Sequence, residues 1–338
     1  MLGSRRWTDG SSLHSLFDLD LEGVLELVRR GKIERVGLQV PEGMKRSAPD
    51  IAREIEEETG AEVIISGDPC YGACDVDLTL CREVDLLVHI GHAEMLEGTP
   101  LLDRVIYLEA RMRSDPKEAV ENAVTLLESD RVGVITTVQH LDRLDEVLQV
   151  LEQRGIEGVA FPGGKRTRYR GLVLGCNYEA ARALDVDEYL FVGTGQFHPL
   201  GAALATNKRV VVADPVTRRA SVIDPQPLLR RRFGAIARAA DAESMAVLVS
   251  KKPGQERMDL ARKMMALGKK MGKDMYLVFV ENVEPDMLIN LGVGAAVSTA
   301  CPRVALDDAA KYNIPLLTPP EFEILLGCRD DYVFDEIV

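Results

Sequence analysis

The chain can be laid over itself twice, and this internal repeat limits its fold more than any other feature. Each copy opens on a strand-like run: KIERVGLQVPEG from Lys32, SDRVGVITTVQH from Ser129 and GKDMYLVFVENVEP from Gly272. A helical stretch follows, then a strand that runs into a cysteine: EVIISGDPCYGACD, GLVLGCNYEAARAL and GAAVSTACPRVALDD. After a second helix comes a third strand: VDLLVHIGHAEM, VDEYLFVGTGQFHPLG and NIPLLTPPEFEILLG. Cys70 precedes Asp85 by 15 residues, Cys176 precedes Asp187 by 11 and Cys301 precedes Asn313 by 12. The expected architecture is α/β: three pseudo-repeated parallel-sheet βαβ modules arranged around a central site. Module one spans 1–112 with Cys70, module two 113–225 with Cys176 and module three 226–338 with Cys301. The breaks are expected near Ala110–Asp115 and within Arg218–Gln255, where VIDPQPLLRRRF and SKKPGQE read as linker.

β-branched runs predict strands over Arg35–Val40, Glu62–Ser66, Leu86–Ile90, Val105–Leu108, Arg131–Thr136, Gly171–Leu174, Glu188–Val192, Arg209–Ala213, Asp274–Val280, Gly294–Ser298 and Ile314–Leu317. Helices are expected between them, among them Asp18–Arg30, Arg46–Thr59, Leu141–Arg154, Arg230–Ala240 and Glu256–Met271. GTGQFHPLG, from Gly193 to Gly201, is read as a glycine-containing loop; its spacing does not fit a dinucleotide fingerprint.

With 41 basic and 54 acidic side chains the net charge is −13, which argues against general binding to nucleic acid or anionic membranes. No apolar run approaches the roughly 18–20 residues that span a bilayer. The stretch from Met1 to Phe17 lacks the apolar segment of a secretory signal, so a cytoplasmic location is expected. Six cysteines in such a chain are expected to stay reduced.

In parallel sheets ligands sit beyond the carboxyl ends of the strands, and Cys70, Cys176 and Cys301 all occupy such positions. If the modules face one centre, three thiolates converge, the number that holds three irons of a 4Fe–4S cluster and leaves the fourth open. A helix N-terminus beside each would favour the thiolate. Cys70 and Cys74 also resemble the start of a CxxxCxxC loop, but Asp77 stands where its third cysteine should be. Cys74, Cys81 and Cys328 have no counterparts in the other modules and are expected to be packing residues. Polar groups at the same strand ends are Gln39 and Glu42, Gln139 and His140, Glu281 and Asn282, and His198. The arginines of GGKRTRYRG and of Arg230–Arg232 suggest either solvated faces or a docking surface for an anionic partner.

PCYGACD, LGCNYEAA, TGQFHPLG followed by ADPVT, and STACPRVALDD resemble the diphthamide-synthesis radical enzymes, the archaeal 2-(3-amino-3-carboxypropyl)histidine synthase family, from about Asp18 to about Phe334. The resemblance implies a homodimer in which Cys70, Cys176 and Cys301 hold a 4Fe–4S cluster and S-adenosylmethionine binds at the open iron. It further implies an electron donor, radical breakage of the Cγ–S bond, and transfer of the 3-amino-3-carboxypropyl group to a histidine of translation elongation factor 2. No catalytic residue beyond the cluster is implied; Gln39, Glu42, Gln139, His140 and His198 are the expected cofactor-pocket residues. The rival readings are a quinolinate synthase-like 4Fe–4S dehydratase, a non-catalytic electron-transfer partner subunit, and a zinc-binding structural module.

Overall fold

The structure, a computed structural model, describes residues 17–95 and 102–338. The stretch read as lacking a secretory signal lies, up to residue 16, outside them. Beyond a short β1 (Phe17–Asp18), the first sheet is built from β2 (Arg35–Gln39), β3 (Glu62–Ile65), β4 (Leu86–Ile90) and β5 (Val105–Leu108), in the order β3-β2-β4-β5 and parallel throughout. β6 (Arg111–Met112) turns back to pair antiparallel with β1. The second sheet contains β7 (Arg131–Thr136), β8 (Glu157–Val159), β9 (Glu188–Val192), β10 (Arg209–Asp214) and β11 (Arg219–Val222), ordered β11-β10-β9-β7-β8 with only β11 antiparallel. The third contains β12 (Ser244–Ser250), β13 (Asp274–Val280), β14 (Ala295–Ser298) and β15 (Leu316–Leu317), ordered β13-β12-β14-β15 and parallel.

Each sheet thus places its second strand, first strand, third strand and fourth strand side by side in that order. The first and third strands diverge to connections on opposite sides, which opens a crevice beyond their carboxyl ends. The composition of the central strands explains their burial. RVGVIT, EYLFV and SMAVLVS are near-continuous apolar runs, the signature of parallel strands covered on both faces. The coverings are distinct. Helix Leu21–Gly31 puts Leu21, Val24, Leu25 and Val28 on one stripe toward the first sheet, and its N-terminus is capped by Asp20 accepting from the Gly23 amide at 3.2 Å. Two apolar layers flank the third sheet as well, one around Met264 and Phe322 and one around Leu288 and Leu316.

Three expectations need correction. β12 was assigned to linker, because a seven-residue run flanked by basic and proline-rich segments reads as an interruption. Asp274–Val280 is therefore the second strand of its sheet, not the first, and Cys301 follows a third strand. Gly171–Leu174 makes only isolated bridges, Thr136 with Leu172 and Leu174 with Asn177. GTGQFHPLG is not a loop throughout: Phe197–Thr206 is a helix, with Gly201 placed where a Cβ would sit 1.9 Å from the Tyr178 hydroxyl.

The third sheet is closed by a buried ion pair. Arg232, on helix Gln226–Ala239, donates from Nε to Glu321 Oε1 at 2.7 Å and from Nη2 to Oε2 at 2.6 Å. Its remaining donors reach the Ala305 and Leu316 carbonyls at 2.6 and 2.7 Å. Glu321 also accepts the Thr318 amide and the Tyr332 hydroxyl, at 2.8 and 3.1 Å. All of this lies out of water, so Glu321→Gln strands a charged guanidinium. The expected cost is about 3–5 kcal/mol, read as an earlier unfolding transition of the third module in urea monitored by hydrogen exchange; an unchanged transition would refute the assignment.

Candidate functional site

The crevices of the sheets carry four of the seven polar residues singled out from sequence: Gln39, Gln139, His140 and His198. In the first, Gln39 ends β2 and His89 lies one residue from the end of β4, paired in register. Gln39 Nε2 donates to the Asp75 carbonyl at 2.7 Å, which turns its Oε1 toward His89. That oxygen accepts the Asp77 amide at 3.2 Å and faces His89 Nδ1 at 2.9 Å, so Nδ1 carries the proton. His89 Nε2 is then free to accept from His92 Nδ1, 2.9 Å away, and Cys70 Sγ stands 4.0 Å from the same nitrogen. Burial pushes His92 down to about 4 and His89 well below its usual value, so both rings are neutral at neutral pH.

In the second crevice, Gln139 donates to the Gly91 carbonyl at 3.2 Å and ties module two to module one. His140 is buried and pushed down to about 4 by desolvation. His198 stacks on Phe191 and meets Phe197 edge-on, and burial, then Arg303, pushes it down to about 3. Glu42 faces solvent and pairs with Lys45, outside the crevice. Glu281 and Asn282 follow the edge strand β13 and so miss it too.

The third crevice is dominated by residues that the sequence reading assigned to a breaker. The turn after β12 projects Lys252, Gln255 and Arg257. Lys252 Nζ pairs with Asp75 Oδ2 at 2.7 Å and lies 4.7 Å over the Tyr71 ring. The Gly254 amide donates to the Cys74 carbonyl at 3.1 Å. Gln255 Nε2 donates to Cys74 Sγ at 3.2 Å, while its Oε1 accepts the Cys301 amide at 3.3 Å. Gln255 is thereby a direct bridge between two cysteines of different modules. Arg257 donates to the Thr299 and Ala300 carbonyls at 2.7 and 2.9 Å, just before Cys301, and forks onto Asp335 at 2.8 and 2.7 Å. From Asp335 the tail runs to Cys176. The Ile337 amide donates to the Cys176 carbonyl at 2.8 Å, Asn177 Nδ2 to the Ile337 carbonyl at 3.1 Å, and the Tyr178 amide to Glu336 Oε1 at 2.9 Å.

The electrostatics group the thiols in the same way. Burial raises Cys176 to about 12, with the Cys74 charge next in importance. Cys301 is pushed well above its usual value by burial, then by Cys176 and Cys74. Cys74 is raised by burial and held back by the Gln255 hydrogen bond. Cys70 is raised to about 12 by burial, then by Asp75. The first-module thiol that acts most on Cys176 and Cys301 is therefore Cys74, which was expected to be a packing residue, while Cys70 lies against the histidines. Burial is the largest influence at every one of these cysteines and raises each of them, and Cys301 caps a helix of only five residues. Cys81 does pack, with Val76, Val84 and Leu87, and Cys328 is exposed.

The arginine loop is partly internal. Arg166 Nη2 donates to the Gly254 carbonyl at 3.0 Å, and its charge acts on Cys74 and Cys176. Arg168 and Arg170 pair with Glu94 and Asp145 at 2.6 and 3.0 Å. Arg303 lies 3.5 Å over the Phe197 ring, and a Cβ at Gly175 would collide with that ring at 2.3 Å, so the residue before Cys176 must be glycine for this contact. What gathers here is a buried set of soft sulfur donors ringed by Lys252, Arg166 and Arg257, fit for a thiophilic metal centre. Among the described residues, no helix is long and apolar enough to cross a membrane.

The profile of the diphthamide synthesis protein family matches residues 40–336. The chain is 38% identical over 327 residues to the 2-(3-amino-3-carboxypropyl)histidine synthase of Pyrococcus horikoshii, covering 96% of this chain and 94% of that one. It is 28% identical over 328 residues to subunit 1 of the human 2-(3-amino-3-carboxypropyl)histidine synthase, covering 94% of this chain and 73% of that one. Among solved structures, that of Dph2 from Pyrococcus horikoshii with a 4Fe–4S cluster superposes with a TM-score of 0.89 at 37% identity, over 96% of this chain and 95% of that one. With the match running the length of the three sheets and through all the crevice cysteines, the chain belongs to the diphthamide synthesis protein family.

Proposed function

We propose that this protein transfers the 3-amino-3-carboxypropyl group of S-adenosylmethionine to a histidine of translation elongation factor 2, as a cytoplasmic enzyme of diphthamide synthesis. The observation that carries the reading is Gln255, which joins Cys74 Sγ to the Cys301 amide, beside the mutual charge effects that tie both cysteines to Cys176. These three would hold a 4Fe–4S cluster. Support for Cys74 in place of the expected Cys70 comes from the Gln255 hydrogen bond and from the mutual charge effects of the three thiols. The fit to such a cluster is good: the donors are soft, buried and unfavourable as free thiolates, so a positive centre is what stabilises them. When bound, a three-cysteine cluster would supply one electron and an open iron position for the methionine end of S-adenosylmethionine, the chemistry needed to break its Cγ–S bond.

The chain's own residues set the conditions. Arg166, Lys252 and Arg257 offset the negative charge of three thiolates. The Gln255 N–H on Cys74 Sγ favours the reduced, more negative state, as hydrogen bonds to cluster sulfur do. Arg257 and the tail exclude water by closing the gap between modules two and three. Gln139, His140 and His198 would form the module-two wall of the cosubstrate pocket. Gln39 acts through His89, and Glu42 is too exposed for this role. The quinolinate synthase-like and partner-subunit readings gain nothing from full-length matches to aminocarboxypropyl transferases.

The test is anaerobic reconstitution of single-cysteine variants, reduced with dithionite in place of the electron donor. Cys74→Ala, Cys176→Ala and Cys301→Ala are each expected to lose the brown colour, methylthioadenosine formation and labelling of elongation factor 2. Cys70→Ala is expected to keep the cluster. A colourless Cys70→Ala protein beside a brown Cys74→Ala protein would restore the original assignment. Methylthioadenosine absent from the wild type would remove the proposed reaction.

We further propose a homodimer, through the edge of the third sheet. Among the described residues β13 is unpaired on its outer side, and it leaves Tyr276, Leu277 and Phe279 about half exposed, an apolar edge of the kind that calls for a cover. Phe279→Glu is expected to shift the sedimentation coefficient to that of a single chain; an unaltered dimer would place the interface elsewhere.

A further inference from the structure

We propose that Cys70, His89 and His92 form a second metal site, for a borderline divalent cation such as Zn²⁺, distinct from the three-thiol site; this inference rests on the proposed assignment of Cys74, Cys176 and Cys301 to the cluster, not on the proposed reaction. One sulfur and two ring nitrogens, Cys70 Sγ, His89 Nε2 and His92 Nδ1, all lie within 4.8 Å of one another. The two nitrogens are 2.9 Å apart and the sulfur is 4.0 Å from His89 Nε2. Tetrahedral zinc, with Zn–N near 2.0–2.1 Å and Zn–S near 2.3 Å, sets its donor atoms about 3.3–3.6 Å apart. Side-chain movements on the order of an ångström or less bring the present cluster to a coordination shell.

The site is also built. His89 sits on β4 with no side-chain freedom, because Gln39 holds Nδ1–H and is itself held by the Asp75 carbonyl and the Asp77 amide. This is the outer-sphere arrangement that orients a histidine and leaves Nε2 as the ligating atom. Gly91, at φ 96°, brings the chain round so that His92 returns onto His89. A side chain there would meet Pro41 at 2.9 Å, so this turn depends on glycine. Cys70 arrives from the loop after β3 and is 3% exposed. Its sulfur is left over once Cys74, Cys176 and Cys301 are grouped.

The donor set selects the cation. A thiolate with two imidazoles suits Zn²⁺ or Fe²⁺ and disfavours Mg²⁺ and Ca²⁺. Binding balances simply: Cys70 gives its proton to solvent, and the His92 proton shifts from Nδ1 to Nε2, freeing Nδ1. The N–H···N bond between the two rings is replaced by two metal–nitrogen bonds. Three protein ligands leave the fourth position for water or an incoming donor atom.

The test uses cluster-loaded protein under anaerobic conditions, titrated with Zn²⁺ against a chromophoric chelator. Zinc and iron are counted together, and the zinc environment is read by X-ray absorption. The expected result is one zinc per chain, with Kd below about 1 µM. Its shell should hold one sulfur at about 2.3 Å and two nitrogens at about 2.0 Å, with iron content unchanged. Cys70→Ser and His92→Ala should each weaken zinc binding by at least about 100-fold, and Gln39→Leu by about 10–100-fold. Retained iron in each variant shows that it is folded. Three outcomes overturn the proposal: only weak adventitious zinc, a three-sulfur shell accompanied by loss of iron, or tight zinc binding that survives Cys70→Ser.

Discussion

The turn from Lys252 to Arg257 is the constraint on which the rest of the molecule depends. Each sheet has its own apolar layers, and only small shared clusters join them: Ala93 with Val138 and Leu172, and Leu306 and Phe334 with the core of the second sheet. As thiolates, Cys74, Cys176 and Cys301 would oppose the meeting by like charge. Four residues of the turn answer this with directional bonds: Lys252 to Asp75 in module one, Gly254 to Arg166 in module two, Gln255 to both Cys74 and Cys301, and Arg257 to the tail. The Lys252–Asp75 and Arg257–Asp335 pairs are almost entirely buried. Pairs of this kind add little net stability over an apolar replacement but cost several kcal/mol to break singly, so they enforce one relative placement of the modules.

Most of the sheet scaffold was legible. Leu86–Ile90, Arg131–Thr136 and Glu188–Val192 are buried on both faces, and an unbroken apolar run reports that directly. β12 has the same character, yet Arg230–Arg232 before it and KKPG after it made the whole stretch look like solvent-exposed connection. That one omission shifted the repeat by a strand in module three and hid Lys252, Gln255 and Arg257. An alignment of the three copies on their first strands, with SMAVLVS in first place, would have exposed the turn. The choice between Cys70 and Cys74 was beyond such reasoning. They share a loop, and what separates them is a contact from Gln255, 181 residues further along the chain.

The arginines carry a related lesson. On a chain of net charge −13, a basic cluster invites a surface role. Arg232 is instead among the most deeply buried side chains, and Arg166 and Arg257 face the sulfur donors. Guanidinium groups suit this work because they stay charged when desolvated and offer five donors in a fixed plane. Composition counts such residues as surface charge; only the partners, distant in sequence, reveal them as internal braces.

The tail contact gives the site a history as well as a shape. Asn177 and Ile337 are 160 residues apart. At a synthesis rate of about 5–20 residues per second, roughly 8–30 s separate the emergence of Cys176 from that of the strand of chain that seals it. During that interval the first two modules have all the sequence their own sheets require, while the Cys176 carbonyl and the Asn177 side chain still lack the tail partners that hold them in the finished fold.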